Sequence, residues 1–344
     1  MNLQASSPPI PHRHAQRACL AAAISGLCLC LSSLSLAQTS LPAATARAAF
    51  QTQSSNALRS AIAASPLLSL TGTPFVVQPP NPAWQSGAVS WLTTDAAGNI
   101  YELQRGDAAD PILVVSPAGH LLRSWGKGDF KIPHSIRLDP SGNIWTVDAG
   151  SSTIIQWSPL GKKLLTIDIG ERPENGNPFN GTTDIAFAPN GHLFITDGYG
   201  NARVLEYSPT GQRLRQWGTP GNAPGQFHLP HSIQISSSGT VYIADRENGR
   251  IQLFDLSGHF LREFPNLGRA YSIQLSDNVL WVGTGPLDKP IGDPGWILKL
   301  DAHTGKILGY LNLPAPHSGH GIGLTPTGDP ITTSGNQVLW FKPQ

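Results

Sequence analysis

The chain has 344 residues, enough for one large domain or two ordinary ones. Its formal net charge is +1 and only 13% of its residues are charged, so the charge balance implies no nucleic-acid or acidic partner. Thirty-six Gly and thirty Pro beside an apolar fraction of 40% describe a turn-rich β protein with a core, and exclude a disordered chain.

In chain order, Arg13 and Arg17 precede an uncharged apolar run over residues 18–36, and Ser35-Leu36-Ala37 is a small-x-small cleavage site before Gln38. Residues 1–37 therefore read as a secretory signal peptide, which implies a secreted or periplasmic protein with no membrane attachment after cleavage. A retained anchor is the competing reading, disfavoured by the marginal length of the run and its serines. Cys19, Cys28 and Cys30 all fall in this segment, so the mature chain has no disulfide and no thiol chemistry. Residues 38–74 are rich in Ala, Ser and Thr without a convincing apolar stripe, and read as a linker or tether.

From residue 75 the pattern changes to short alternating strands with Gly turns, recurring roughly every 40–50 residues. One unit runs through residues 134–139, turns at Pro140-Ser141-Gly142, and returns through residues 143–148. Equivalent turns fall at Gly98, Gly191, Gly239, Asn278 and Gly328, and most hairpins are followed by a third and a fourth strand. Four strands per unit and six units predict an all-β, six-bladed β-propeller over residues 75–344. The last unit stops after its third strand, and Phe75-Val76-Val77 is the candidate for the missing outer strand.

The first strand of a propeller blade lines the central channel. The units align Val89, His134, Thr183, His231, Tyr271 and His320 at the start of that strand. The three histidines, 97 and 89 residues apart, thus come from blades 2, 4 and 6 and form a trigonal set on the axis. A lone histidine at a strand start is usually structural; three in the same register point to a metal. Three imidazoles with a fourth position free suit zinc, although copper, nickel, cobalt, manganese or iron also accept them. The end of each second strand lies at the same mouth, which brings Arg105, Tyr199 and Arg246 around the histidines as candidate catalytic residues. Asp148, Asp197 and Asp245, at those same strand ends, are expected to bind loop backbone instead. The other eight histidines fall in the leader, in turns or at outer positions, with His317 a minor competitor to His320.

The motifs Asp197-x-x-x-Asn201-x-Arg203 and Asp245-x-x-Asn248-x-Arg250 resemble NHL repeats. Together with Gly225-Gln226-Phe227, Arg105-Gly106-Asp107, the segment 244–252 and the insertion at Lys289-Pro290 and Gly292-Asp293, the region from Trp91 onward resembles the peptidyl-α-hydroxyglycine α-amidating lyase family. That resemblance implies a metal-dependent carbon–nitrogen lyase that splits N-acyl- or peptidyl-α-hydroxyglycine into an amide and glyoxylate. It implies zinc on His134, His231 and His320, Tyr199 as base with Arg105 beside it, and Arg246 as a further active-site arginine; a guanidinium beside a phenol is expected to lower its pKa. The chain departs from the family where Gly200, Tyr242 and Leu253 replace disulfide cysteines, and where Gly321 replaces an acidic calcium ligand, which puts a calcium site in doubt. The oxidising partner domain is missing from this sequence, so a small hydroxyglycine derivative is as good a substrate as a peptide. A monomer is expected. The competing readings are a non-catalytic NHL propeller acting as a binding scaffold and a lactonase-like metal-dependent hydrolase; no acidic ligand set in the channel register supports the second.

Overall fold

In the computed structural model, six four-stranded antiparallel sheets follow one another along the chain. The structure describes residues 43–173, 176–291, 293–314, 319–334 and 337–343; the leader with its cysteines, His317 and Gly292 lie outside them. Blade 1 opens with Val89–Thr94, blade 2 with Pro133–Leu138, blade 3 with Asp184–Phe187, blade 4 with Pro230–Ile235, blade 5 with Arg269–Ser276 and blade 6 with Ile322–Leu324. Each of these inner strands packs on the inner strand of the next blade, and the sixth returns to the first, so the ring is closed.

Closure uses an N-terminal strand, as the missing fourth strand of the last blade required. That strand is Leu70–Phe75 rather than residues 75–77, and it pairs antiparallel with Gln337–Pro343 from Leu70 opposite Pro343 to Phe75 opposite Val338. The propeller therefore starts about five residues earlier than its alternation suggests. The segment Leu-Thr-Gly-Thr-Pro-Phe conceals a strand because it is outermost: only one edge is paired, most of its side chains face solvent, and Pro74 is tolerated there.

The alternating residues of the blades meet between neighbouring sheets. Trp145, Val147 and Ile154 of blade 2 pack on Ile185, Ile195 and Leu205 of blade 3, and Phe194 and Val204 of blade 3 pack on Ile233, Ile243 and Phe254 of blade 4.

The expected tether is in part an ordered element. Residues Ala43–Ala63 form a helix, α1, that packs on blades 4 and 5. Leu58 is fully buried and Ile62 nearly so, in one cluster with Tyr242, Ile251, Leu267 and Leu298. Its apolar contact is only this last turn and a half, too short to show as a stripe. The rest of the docking is polar: Ser55 Oγ accepts from the backbone N–H groups of Leu287 (2.9 Å) and Asp288 (3.1 Å), and Arg59 pairs with Asp288 at 2.7 Å. Among the described residues no helix is long and apolar enough to cross a membrane.

Candidate metal centre and active site

Three of the inner strands carry a register shift at their first turn of chain, between Pro133 and Ser135, Pro230 and Ser232, and Ala270 and Ser272; blade 1 has the same shift between Val89 and Trp91. The extra residue is His134 in blade 2, His231 in blade 4, Tyr271 in blade 5 and Ser90 in blade 1. A bulge of this kind re-aims one side chain out of the ladder. It also moves the blade 1 equivalent of the histidines from Val89, where the sequence alignment puts it, to Ser90.

With Thr183 and His320, which precede the inner strands of blades 3 and 6, the bulged residues make an alternating ring of partners. Nδ1–H of His134 donates to the carbonyl of Thr183 at 2.6 Å, that of His231 donates to the carbonyl of Tyr271, and that of His320 donates to the carbonyl of Ser90 at 2.8 Å. Blades 2, 4 and 6 supply imidazoles; blades 3, 5 and 1 supply the carbonyls that orient them. A carbonyl can only accept, so each histidine carries its proton on Nδ1 and presents a bare Nε2 to the axis. One ligand nitrogen from each of the three lies within 4.8 Å of the others. Burial first, with nearby arginine charge, depresses all three, and neighbouring imidazoles add to it for His134 and His231: these two lie well below the usual histidine value and His320 falls to about 3. They are neutral at any physiological pH, the state in which imidazole ligates.

Tyr199 Oη lies 3.1 Å from His134 Nε2 and 3.0 Å from His231 Nε2. One phenol proton can satisfy one of these two lone pairs and not the other, nor that of His320. A set of three convergent acceptors with a single donor is what a cation completes, so the residues present fit a metal ion. No identity is singled out by the donors alone.

Tyr199 reaches the axis because its loop runs against the next blade. A Cβ on Gly198 would meet the carbonyl oxygen of Pro230 at 2.0 Å, and one on Gly200 would meet that of Asn180 at 2.1 Å. Of the aspartates that end the second strands, Asp148 accepts from the loop N–H groups of Ile132 (2.9 Å) and Gly150 (2.7 Å) as expected and Asp245 from one such group, whereas the partners of Asp197 are side chains. Asp197 accepts from Arg203 Nε (2.8 Å) and Asn201 (3.0 Å) around the Tyr199 loop. Asp245 accepts from the His228 backbone, Asn248 and Arg250 around Arg246. In blade 1 Gln104 takes this position: its carbonyl oxygen accepts from Gly87 and Gly106, and its amide donates to the carbonyls of Gly106, Ala109 and Asp110, which holds the Arg105 loop.

The two arginines stand at the same mouth. Arg246 Cζ is 5.8 Å from the Tyr199 ring centroid and 5.6 Å from that of Tyr271, and its side chain is nearly buried. Arg105 is exposed, donates from Nε to the Pro133 carbonyl at 2.9 Å, and lies over the Phe179 ring. Burial raises the Tyr199 phenol above its ordinary value; Arg246 first and Arg105 second oppose this. Arg105 thus lowers the phenol as expected, but burial outweighs both arginines and Arg246 is the stronger of the two.

Two residues of the site escape sequence reasoning. Trp91 is completely buried beneath the histidines, 5.8–6.3 Å from all three ring centroids, with the Arg137 guanidinium 5.0 Å from its own ring. Arg137 in turn is locked by Asp184 through two hydrogen bonds of 3.0 and 2.7 Å, so the floor of the site is closed by a stacked, charge-compensated pair. Phe179, from the connection between blades 2 and 3, packs edge-on to Tyr199 at 5.3 Å. Position immediately after the bulge could have identified Trp91; nothing local marks Phe179. At Gly321 a Cβ would meet Trp91 Cα at 2.8 Å, so the acidic calcium ligand implied by the family resemblance has no room here without displacing the floor. Of the remaining described histidines, His120, His259 and His303 are exposed and His192 pairs with Glu206; His228 is also exposed and lines the cleft that holds Tyr199.

Residues 227–254 match the NHL repeat family. The chain is 32% identical over 213 residues to the mouse (Mus musculus) peptidyl-glycine alpha-amidating monooxygenase, covering 52% of this chain and 22% of that protein. It is 33% identical over 216 residues to peptidyl-alpha-hydroxyglycine alpha-amidating lyase 1 of Drosophila melanogaster, covering 52% of this chain and 40% of that protein. The chain thus spans well under half the length of either relative. Among solved structures, a streptogramin B lyase superposes with a TM-score of 0.56 at 15% identity over 80% of this chain and 98% of the other, a likeness of fold. In repeat, architecture and sequence, the chain is thus similar to NHL-repeat β-propellers and to proteins named as peptidyl-α-hydroxyglycine α-amidating lyases.

Proposed function

We propose that the protein is a secreted or periplasmic, metal-dependent carbon–nitrogen lyase that cleaves N-acyl- or peptidyl-α-hydroxyglycine to an amide and glyoxylate. The observation that carries this reading is Tyr199 Oη standing on two of three neutral imidazoles whose Nε2 atoms converge, with Arg105 and Arg246 at the same mouth. His134, His231 and His320 would hold the metal through Nε2, with zinc the expected ion. A divalent cation bound there lowers the pKa of a hydroxyl placed on it and adds to the arginines the positive field that the buried Tyr199 phenol needs to act as a base.

The remaining work falls to the chain itself. Arg246, held at the wall between Tyr199 and Tyr271, pairs with the substrate carboxylate, and Arg105 closes the open side. Tyr199 Oη takes the proton of the substrate hydroxyl. The O–H electron pair becomes the carbonyl of glyoxylate, the C–N bond breaks with its pair on nitrogen, and the proton returns from Tyr199 to that nitrogen to complete the amide. Trp91 and Arg137 close the channel beneath, so substrate enters and both products leave by one mouth. A cleft of about 400 Å³ beside Tyr199, lined by Ala202, Pro220 and Leu229 together with Asn201, Thr219 and His228, is open to the acyl group.

The test is to measure bound metal in the purified protein and glyoxylate release from α-hydroxyhippurate. Metal near one equivalent, and turnover that a chelator removes and zinc restores, are expected. Protein that carries a full equivalent of metal and releases no glyoxylate refutes the lyase assignment. Protein that neither binds metal nor turns over favours the scaffold reading.

A further inference from the structure

Arg246 does not stand alone at the mouth. It opens a single 3-10 turn, Arg246–Asn248, and its Nε donates to Oε1 of the next residue, Glu247, at 3.0 Å. The same carboxylate accepts from Arg269 Nε of blade 5, at 3.3 Å to each oxygen. Arg269 continues into the blade 5 insertion, donating to the carbonyls of Pro286 (3.0 Å) and Lys289 (2.6 Å). Helix α1 then grips both ends of this chain of contacts: Arg47 donates to the Glu247 carbonyl, while Ser55 and Arg59 hold Leu287 and Asp288.

The electrostatics agree with a built relay. Burial raises the Glu247 carboxyl, yet Arg246 and Arg269 outweigh it and hold it below the ordinary carboxylate value. Glu247 is thus an anion shared by two guanidinium groups, one of which faces the site. Adjacent residues on a regular strand point to opposite faces; a tight 3-10 turn is what lets the pair at 246 and 247 close on each other.

We infer that Glu247 is a positioning residue for Arg246, braced through Arg269 and the Arg47 end of helix α1, so that the guanidinium meets a carboxylate without reordering. The inference rests on the reading above in that the carboxylate is the substrate's. Without Glu247 the arginine is free to rotate over Tyr199 and Tyr271, and binding must first order it.

The experiment uses the full chain with Glu247→Ala, Glu247→Gln, Arg269→Ala and Arg47→Ala. In the metal-loaded protein Glu247→Ala is expected to raise KM for α-hydroxyhippurate about tenfold or more, with a smaller fall in kcat, while metal content and Tm stay near wild type. Glu247→Gln keeps an acceptor for Nε and recovers part of the loss. Arg269→Ala and Arg47→Ala show the same split, graded with distance from Arg246, and they carry the test if Glu247→Ala does not fold. Two readouts do not need turnover: the dissociation constant of glyoxylate by calorimetry, with and without metal, and protection of the Arg246 Nε–H from exchange by NMR of 15N-arginine protein. If wild type turns over and the Glu247 variants keep its KM, its glyoxylate affinity and its Nε–H protection, the positioning role is overturned and the lyase assignment stands. If wild type does not turn over, the assignment has failed, and these two readouts alone decide the positioning role: weakened binding and lost protection support it, unchanged values overturn it. Wild-type protein that binds no glyoxylate also overturns it.

Discussion

At the scale of single residues, the site is defined by which atoms carry protons. The backbone carbonyls of Thr183, Tyr271 and Ser90 fix three imidazoles as Nδ1–H tautomers, and Tyr199 has one proton for the two bare nitrogens it reaches, those of His134 and His231. Tyr199→Phe removes that proton and leaves the ligands in place. Metal content should therefore be unchanged while kcat falls by about 10²–10⁴, the usual worth of a general base; a variant retaining wild-type turnover would take Tyr199 out of its assigned role. His231→Ala makes the opposite test, since two imidazoles bind a divalent ion far less tightly than three. It should lose metal on dialysis against a mild chelator that leaves wild type loaded. That His134, His231 and His320 converge was legible from register alone, and that Tyr199, Arg105 and Arg246 stand at the same mouth was legible once strand direction was taken into account. The balance of burial against charge at Tyr199 was not, because it depends on how much protein closes over the phenol.

At the scale of elements, helix α1 shows how a weak sequence signal becomes a firm structural part. Leu58 is completely buried in the cluster shared by blades 4 and 5. Leu58→Ala should lower stability by about 2–5 kcal/mol, the range for a buried leucine. Arg59→Ala should cost less than about 1 kcal/mol, because its pair with Asp288 is partly exposed. Urea denaturation of the two variants separates a docked helix from a tether, for which both would be neutral. The outer strand at residues 70–75 makes the same point from the other side. It carries Thr, Gly and Pro and alternates poorly, yet an unpaired edge at the third strand of blade 6 selects it. Ring closure, a property of the whole sheet set, overrides local propensity here.

At the scale of the whole molecule, the ring buries groups that an open sheet would expose. Glu102, in the second strand of blade 1, is almost fully buried, its Oε1 has no partner among the described residues, and burial pushes its carboxyl up to about 7. In the unfolded chain the same carboxyl titrates near the ordinary 4.5. Between these values the folded protein holds a proton that the unfolded chain has released, so stability falls as pH rises from about 4.5 to about 7 and is level above that. The loss is on the order of 3 kcal/mol. Glu102→Gln should abolish this component: its Tm should exceed wild type at pH 8 and match it near pH 4.5, as calorimetry across that range would show. A variant that tracks wild type at every pH would mean that Glu102 is solvated in the folded state.

The sequence by itself determined the repeat, the number of blades and the three histidines on alternate blades. Those follow from period and register, which are local quantities that a one-dimensional pattern records. The tertiary structure decided what depends on neighbours distant in the chain. Bulges selected Ser90 over Val89 and turned His134 and His231 out of their ladders; odd blades supplied the carbonyls that set the tautomers of all three imidazoles; and Trp91 stacked on Arg137 closed the channel. It also decided that residues 43–63 belong to the body of the protein, because the partners that bury Leu58 and hold Arg47 and Arg59 lie about two hundred residues away.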